Sequence, residues 1–309
     1  MTNRDLIIFV TLSFMWSLSF VFYRIGVPEF GSLAFASLRV IFAGLVMLVF
    51  VLLNKKNRVG IKEHWKMLAL VGLFSAALPF VLFSFSAQSV NAGVLAVLNA
   101  SVPMMSGFIA RVFFKDRLSK KQALGLVIGV IGVIVLMSES LFGGGEPGKG
   151  LIEGLLPMGY ALLACVGYAL GANITKNYLY EVSPVAITAG SLIIGSIIML
   201  PVAFNEFPYG KDVSIKAWVS VICIGVFSTA IALIFMNQLI KNIGPTRATS
   251  ITLVIPIFAI ILGYLLLGEA LNIQAIIGSI VILIGTYLSL ELSIKKMLKP
   301  KDKTQTNSI

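Results

Sequence analysis

Aromatic side chains recur at helical spacing inside an apolar stretch near the start of this 309-residue chain. Trp16, Phe20 and Tyr23 stand at positions i, i+4 and i+7, so a helix would carry all three on one face. Such a face could stack on a flat or apolar solute, and we take the three residues as candidate substrate-binding residues. Trp16 and Tyr23 could instead anchor the helix at a membrane interface, and that alternative stays open.

Arg39 is the sharpest single candidate, because it lies within an apolar run at 33–53. A guanidinium there is costly unless it snorkels, forms an ion pair or meets an anionic group. We expect Arg39 to recognise a substrate carboxylate or a gating acid such as Glu29 or Glu269. The alternative is a structural ion pair near the outer lipid headgroups.

Two prolines, Pro103 and Pro256, lie inside apolar runs, where each removes a backbone donor. They free the carbonyls of Asn99 and Thr252, and irregular backbone at membrane depth is tolerated where it lines a cavity. We therefore predict hinges at the prolines, with Asn99 and Thr252 binding substrate, although kinks also serve packing. The remaining candidates are polar or aromatic interruptions of other apolar runs, which could equally join helices: Phe83, Ser86, Tyr168, Asn173 and Asn237.

Acidic residues and the single histidine, His64, fall in loops, tails or the end turns of apolar runs. A buried proton relay would need such groups inside the bundle, so we expect facilitated diffusion or exchange rather than obligate proton antiport. The sequence also lacks an ATP-binding phosphate loop and the serine–histidine, paired-aspartate or zinc motifs of intramembrane hydrolases. We predict no enzyme activity, no cofactor and no metal site.

These residues must be positioned by elements that lie in lipid. The chain is 58% hydrophobic and 12% charged, whereas soluble domains are about 45–50% apolar and about 25% charged. Each apolar run approaches the roughly 20 residues that a helix needs to cross a bilayer, and the runs lack the alternation of barrel strands. We predict an all-α polytopic membrane protein with ten transmembrane helices, at 5–25, 33–53, 66–87, 92–114, 121–138, 154–175, 184–204, 217–239, 247–267 and 273–292.

The distribution of basic residues predicts the orientation. Most of the 24 Lys and Arg residues fall on one side if the N-terminus is cytoplasmic. We therefore predict a multi-pass protein of the inner (plasma) membrane with both termini cytoplasmic. The net charge of +11 then indicates contact with anionic membrane lipid rather than with nucleic acid.

A Gly-rich external linker, 143–152, separates two predicted five-helix repeats, 1–142 and 153–295, and a basic cytoplasmic tail follows at 296–309. The repeats share residue types at equal offsets: Pro103, Asp116, Leu118, Gly125 and Gly132 in the first, and Pro256, Glu269, Leu271, Gly278 and Gly285 in the second. Five is an odd number of spans, so the second repeat enters the membrane from the opposite side. Inverted repeats are typical of secondary transporters.

The chain resembles the drug/metabolite transporter superfamily, of the type with two EamA domains, over about residues 5–293. The matching residues are Trp16-Ser17, Ser19-Phe20, Arg39, Gly244-Pro245-Thr246-Arg247-Ala248, Pro256, Leu267-Gly268-Glu269 and the Gly278 to Gly285 helix. The first repeat departs from the pattern at Lys115-Asp116-Arg117, and Gly190 occupies the position equivalent to Arg39. The resemblance implies an inner-membrane carrier, often an exporter of amino acids, metabolites or drugs, that works by alternating access.

We therefore expect a secondary transporter, an exporter or exchanger, of a small metabolite, amino acid or drug-like molecule. A channel or a non-transporting membrane scaffold is the alternative. The expected partners are a small-molecule substrate and membrane lipid, and the chain is a monomer or homodimer. Gly125, Gly129 and Gly132 share a helix and could pack within the bundle or between protomers.

Overall fold

The computed structural model describes the backbone of residues 2–54, 58–115, 118–142, 151–243, 248 and 250–290, without the side chains of 139–142, 151–154, 237 and 241. Most of the predicted linker and the whole predicted tail lie outside these ranges. The helices are α1 Asn3–Phe30, α2 Ser32–Leu53, α3 Trp65–Ser86, α4 Ala92–Phe113, α5 Lys120–Phe142, α6 Leu151–Tyr178, α7 Pro184–Glu206, α8 Ile215–Ile240, α9 Ser250–Leu267 and α10 Ile273–Ser289.

Nine of the helices in the described ranges are long and apolar enough to cross a membrane, and α10 is a shorter apolar helix of 17 residues. Their positions follow the predicted apolar runs, and the described residues contain no β-strand. The prediction of an all-α bundle of ten helices is confirmed. The bundle satisfies backbone hydrogen bonds within each helix, as lipid requires.

Four helices are irregular at equivalent places in the two repeats. A π-helical turn interrupts α3 at Leu73–Ala77 and α8 at Val226–Ile231. The other two are broken just before a proline: α4 ends its first segment at Asn99 and restarts at Val102, and α9 passes from a 3₁₀ turn to an α-helix at Ile255. The breaks precede Pro103 and Pro256, because a proline has no backbone N–H to donate to the carbonyl of the preceding helical turn. The predicted interruptions are therefore present; hinge motion at them stays a prediction.

Equivalent helices of the two repeats pack against each other. Helix α2 contacts α7, and α5 contacts α10, while α1 packs on α8 and α9 of the second repeat and α6 packs on α3 and α4 of the first. Glycines form the α5–α10 contact. A Cβ at Gly285 would lie 2.6 Å from the backbone nitrogen of Gly129 and 2.7 Å from the carbonyl of Gly125. These glycines therefore pack within the bundle, and the prediction of a monomer or homodimer stays a prediction.

The loop between α9 and α10 lies at the opposite end of the bundle from the loop between α4 and α5. Glu269, in the first of these loops, accepts a hydrogen bond from the backbone nitrogen of Ala92, where α4 begins, and contacts Arg24 near the end of α1. The α4–α5 loop follows the other end of α4, after Phe113. The two equivalent loops thus face opposite sides, as the predicted inversion requires. We call the region where Arg24, Ala92 and Glu269 meet the Glu269 end.

Candidate functional site

A cavity between the repeats

A cavity of about 280 Å³ lies between the two repeats. It is bounded by the π-helical turns of α3 and α8, by the breaks in α4 and α9, and by faces of α1, α2 and α6. Its lining residues are Trp16, Ser19, Phe20, Tyr23, Arg39, Ser75, Phe80, Phe83, Asn99, Val102, Tyr168, Ser228, Thr229, Leu233, Thr252 and Ile255. Irregular helices at membrane depth usually line a cavity or are buried in protein, and here they do line one.

Most of the lining consists of residue pairs that the internal repeat relates. Four pairs are 153 residues apart and one is 152 apart: Ser75 with Ser228, Phe80 with Leu233, Asn99 with Thr252, Val102 with Ile255, and Trp16 with Tyr168. We call these ten residues the paired lining. The two members of each pair are chemically similar. In the order given, the pairs are two hydroxyls, two apolar side chains, two polar side chains, two branched aliphatic side chains and two aromatic rings. The cavity is therefore built around the pseudo-symmetry of the two repeats.

Eight of the predicted substrate-binding residues line this cavity: Trp16, Phe20, Tyr23, Arg39, Phe83, Asn99, Tyr168 and Thr252. Ser86 and Asn173 do not. Ser86 is fully buried outside the lining, and the Asn173 amide donates to the carbonyl and hydroxyl oxygens of Ser106 and to the carbonyl of Ala169. Asn173 thus joins α6 to α4, because its amide is used up between helices. The side chain of Asn237 lies outside the described residues.

The environment of Arg39

Arg39 is 6% exposed and is held by three neutral groups. Its Nε donates to the Thr229 hydroxyl at 3.0 Å, and Nη1 donates to the Tyr23 hydroxyl at 2.6 Å. Its guanidinium carbon lies 3.5 Å from the centroid of the Phe80 ring, a cation–π contact. These contacts fix the plane of the guanidinium between α1, α3 and α8.

The expected acidic partners of Arg39 bind elsewhere, so that part of the prediction is wrong. Glu269 pairs with Arg24, with Oε1 2.7 Å from Nε, and Glu29 accepts two hydrogen bonds from Ser214. The Arg24–Glu269 pair is the only ion pair among the described residues. A structural ion pair of Arg39 near the outer headgroups is likewise absent there. The sequence could not show that Arg24, the residue after Tyr23 in α1, would pair with Glu269.

Aromatic rings form the walls near Arg39. Phe83 contacts Phe20 at 5.9 Å, Tyr23 at 6.4 Å and Tyr168 at 6.1 Å between ring centroids. Tyr23 is 1% exposed, and its hydroxyl also donates to the carbonyl of Phe80, so Tyr23 is not an anchor at the membrane surface. Trp16 is half-buried and also lines the cavity. Trp16 and Tyr23 therefore both line the cavity, and their binding of substrate stays a prediction.

Lining residues that the sequence did not single out

Eight lining residues were not among the predicted site residues: Ser19, Ser75, Phe80, Val102, Ser228, Thr229, Leu233 and Ile255. Six of them belong to the paired lining, and the offset of 153 that relates Pro103 to Pro256 would have found the partner of each. Thr229 is different. Its hydroxyl donates to the carbonyl of Ile224 inside the π-helical turn and accepts from Arg39, and a π-helical turn leaves no clear sequence signal.

Comparison with known proteins

The EamA-like transporter family matches the sequence twice, over residues 4–138 and 155–290. The chain belongs to this family. The double match agrees with the two repeats in the structure, and the protein is a multi-pass membrane protein. Members of the family are transporters, and we therefore describe this chain as a membrane transporter.

Known relatives match most of the chain at low sequence identity. An uncharacterized transporter of Archaeoglobus fulgidus is 25% identical over 287 residues, covering 93% of this chain and 98% of its own length. The uncharacterized inner membrane transporter YedA of Escherichia coli K12 is 28% identical over 263 residues, covering 84% and 82%. A solved crystal structure superposes with a TM-score of 0.60 at 16% identity, over 93% of this chain and 96% of that one. That similarity concerns the fold alone.

Proposed function

We propose that the protein is a secondary transporter that binds one small organic molecule in the cavity between its repeats and exposes it to each side of the membrane in turn. The location of the cavity carries this proposal. Both repeats line it at equivalent positions, so exchanging their conformations would move the opening from one side to the other. Net export or exchange follows from the solute gradients.

The Glu269 end supports a closed outer side in this conformation. Glu269 accepts from Arg24 Nε and from the Ala92 nitrogen, both at 2.7 Å, while Arg24 Nη1 donates to the Ala87 carbonyl at 2.7 Å. We call the side chains of Arg24 and Glu269 with these two backbone partners the outer latch. It ties α1 and the α3–α4 loop of the first repeat to the α9–α10 loop of the second. A channel would need no such contact between the repeats.

We place the Glu269 end on the outer side and both termini in the cytoplasm, in the inner (plasma) membrane. The lysine and arginine distribution supports this orientation, and the naming of the E. coli relative as an inner membrane transporter supports the location. The partners on this proposal are the transported molecule and membrane lipid, with the chain as a monomer or homodimer.

The test measures access to the cavity from each side. Leu233→Cys is introduced after Cys165 and Cys223 are replaced by alanine, and a membrane-impermeant thiol reagent is applied to right-side-out and to inverted vesicles. A carrier in the closed-outside conformation gives fast labelling from the cytoplasmic side and slow labelling from outside. Equally fast labelling from both sides would indicate a channel, and no labelling from either side would indicate a scaffold. The matched control is Leu265→Cys, because Leu265 lies outside the cavity on the surface of α9 that lipid would cover, so its labelling should be slow from both sides.

A further inference from the structure

The cavity is symmetric in its frame but asymmetric in its chemistry. Outside the paired lining, six residues remain, and the residues at their equivalent positions in the other repeat do not line the cavity. Five of the six come from the first repeat and one from the second: Ser19, Phe20, Tyr23, Arg39, Phe83 and Thr229. The position equivalent to Arg39 is Gly190. One side of the cavity therefore carries a positive charge that the other side lacks, and a bound molecule would lie in one orientation.

The charge of Arg39 is not neutralised by the protein in the described residues. Its partners are two hydroxyls and a ring, the lining contains no aspartate or glutamate, and Nη2 makes no hydrogen bond to a described residue. A buried charge without a counter-ion is costly. A guanidinium offers a planar pair of donors that matches a carboxylate, so an anionic group of a ligand would supply the missing partner.

Ser19 gives a second, independent indication of a ligand. It is 5% exposed and lines the cavity, yet its hydroxyl has no hydrogen-bond partner. Buried serines elsewhere in α1 bond to the preceding turn, as Ser13 does to Phe9 and Ser17 does to Ser13. Ser19 lies one helical turn from Tyr23, the residue that Arg39 Nη1 contacts. An unsatisfied hydroxyl and a cation without an acidic partner, lining one cavity, are what a site for an anionic polar head would contain.

From these observations we infer that the cavity binds an organic monocarboxylate with a flat aromatic or apolar body and without an ammonium group. This inference rests on the proposed function and names its substrate class. The carboxylate lies at Arg39 and Ser19, and the body lies against Trp16, Phe20 and Tyr168. The lining has no acidic side chain to pair with an ammonium, which Arg39 would also repel, so zwitterionic amino acids bind less well. A cavity of about 280 Å³ is at the small end for ligand sites and suits one ring system.

The test uses four probes that share one body: 3-phenylpropanoate, phenylalanine, phenethylamine and 3-phenylpropan-1-ol. Each is titrated against the purified full chain in lipid nanodiscs, and the rise in unfolding temperature gives a dissociation constant. We expect 3-phenylpropanoate to bind at least about 10-fold more tightly than the other three. Arg39→Gln should weaken binding of the acid about 10- to 100-fold, the range for hydrogen bonds to charged groups, and leave the alcohol unchanged. Arg39→Lys should retain part of the preference.

Ser19→Ala provides a variant that loses no internal hydrogen bond. We expect the unfolding temperature without ligand to stay the same and the affinity for 3-phenylpropanoate to fall about 3- to 10-fold. Ser84→Ala is the matched control. Ser84 is also buried with an unpartnered hydroxyl, but it lies outside the lining, so its removal should not change the affinity.

Three results would overturn the assignment: no shift with 3-phenylpropanoate, equal or tighter binding of phenylalanine or phenethylamine, or an Arg39→Gln effect that is the same for the acid and the alcohol. The proposed transport function is tested separately, by counterflow of labelled 3-phenylpropanoate in proteoliposomes. Binding of the acid without counterflow would support the proposed binding site and contradict the proposed transport function. Labelling of Leu233→Cys that indicates a carrier, without binding of the acid, would support the transport function and contradict this substrate class.

Discussion

Glu269→Gln is predicted to open the outer side of the protein. Glutamine keeps the size of the side chain but loses the charge and one acceptor, so it cannot accept from both Arg24 Nε and the Ala92 nitrogen. Hydrogen bonds to charged groups contribute about 1.5–3 kcal/mol, and exposed ion pairs contribute up to about 1 kcal/mol. The side chains of Arg24 and Glu269 are 26% and 9% exposed, so solvent screens the pair partly and an intermediate value applies.

We therefore assign roughly 1–2 kcal/mol to the part of the outer latch that this substitution removes, which corresponds to a shift of about 5- to 30-fold in the ratio of the two conformations. The assay is the rate of outside labelling of Leu233→Cys in right-side-out vesicles, which should rise by that factor. Glu29→Gln is the control, because Glu29 also joins α1 to the second repeat but through exposed contacts with Ser214. Its effect should stay below about 5-fold. A rate that does not rise in Glu269→Gln, or that rises equally in both variants, would refute the latch.

Two further predictions concern stability. Gly285→Ala should lower the unfolding temperature, because the new Cβ meets backbone atoms of α5 and overpacking costs about 1–3 kcal/mol. Gly159→Ala is the control and should leave the unfolding temperature unchanged or raise it, because nothing lies within 4 Å of its Cβ. An equal effect of both substitutions would contradict the close α5–α10 contact. Ser17→Ala should destabilise the protein by about 0.6 kcal/mol, because the Ser17 hydroxyl donates to the carbonyl of Ile255 on another helix. Ser37→Ala should destabilise it less, because the Ser37 hydroxyl bonds only within its own helix. Calorimetric melting in nanodiscs compares Gly285→Ala with Gly159→Ala, and Ser17→Ala with Ser37→Ala.

The sequence predicted the helices well because a lipid-spanning helix is a local object. Its length is set by the bilayer and its composition by the solvent around it, so every run of apolar residues could be recognised without knowing its neighbours. The inversion of the second repeat followed from counting the five spans in each repeat, which also needs no knowledge of tertiary contacts. Pro103 and Pro256 marked the breaks in α4 and α9 directly, since the missing donor acts within one turn of the chain.

Contacts between distant segments were predicted less well. Arg39 was recognised as a residue that needs a partner, yet nothing local indicates that Tyr23, Phe80 and Thr229 would surround it rather than Glu269. Asn173 looked like a cavity residue by type, and only the packing of α6 on α4 shows that its amide is already bonded. A residue type tells what a side chain can bind, and the partner it finds depends on neighbours far away in the sequence.

Sequence alone thus determined how many times the chain crosses the membrane, where it bends and that its halves are inverted copies, because each follows from solvent transfer and backbone donors counted along the chain. Tertiary structure decided which side chains face the shared cavity. It also decided that Glu269 pairs with Arg24 at one end of the bundle and that, among the described residues, Arg39 has no acidic partner. Burial and charge pairing are properties of assembled helices, and they cannot be read from any one helix.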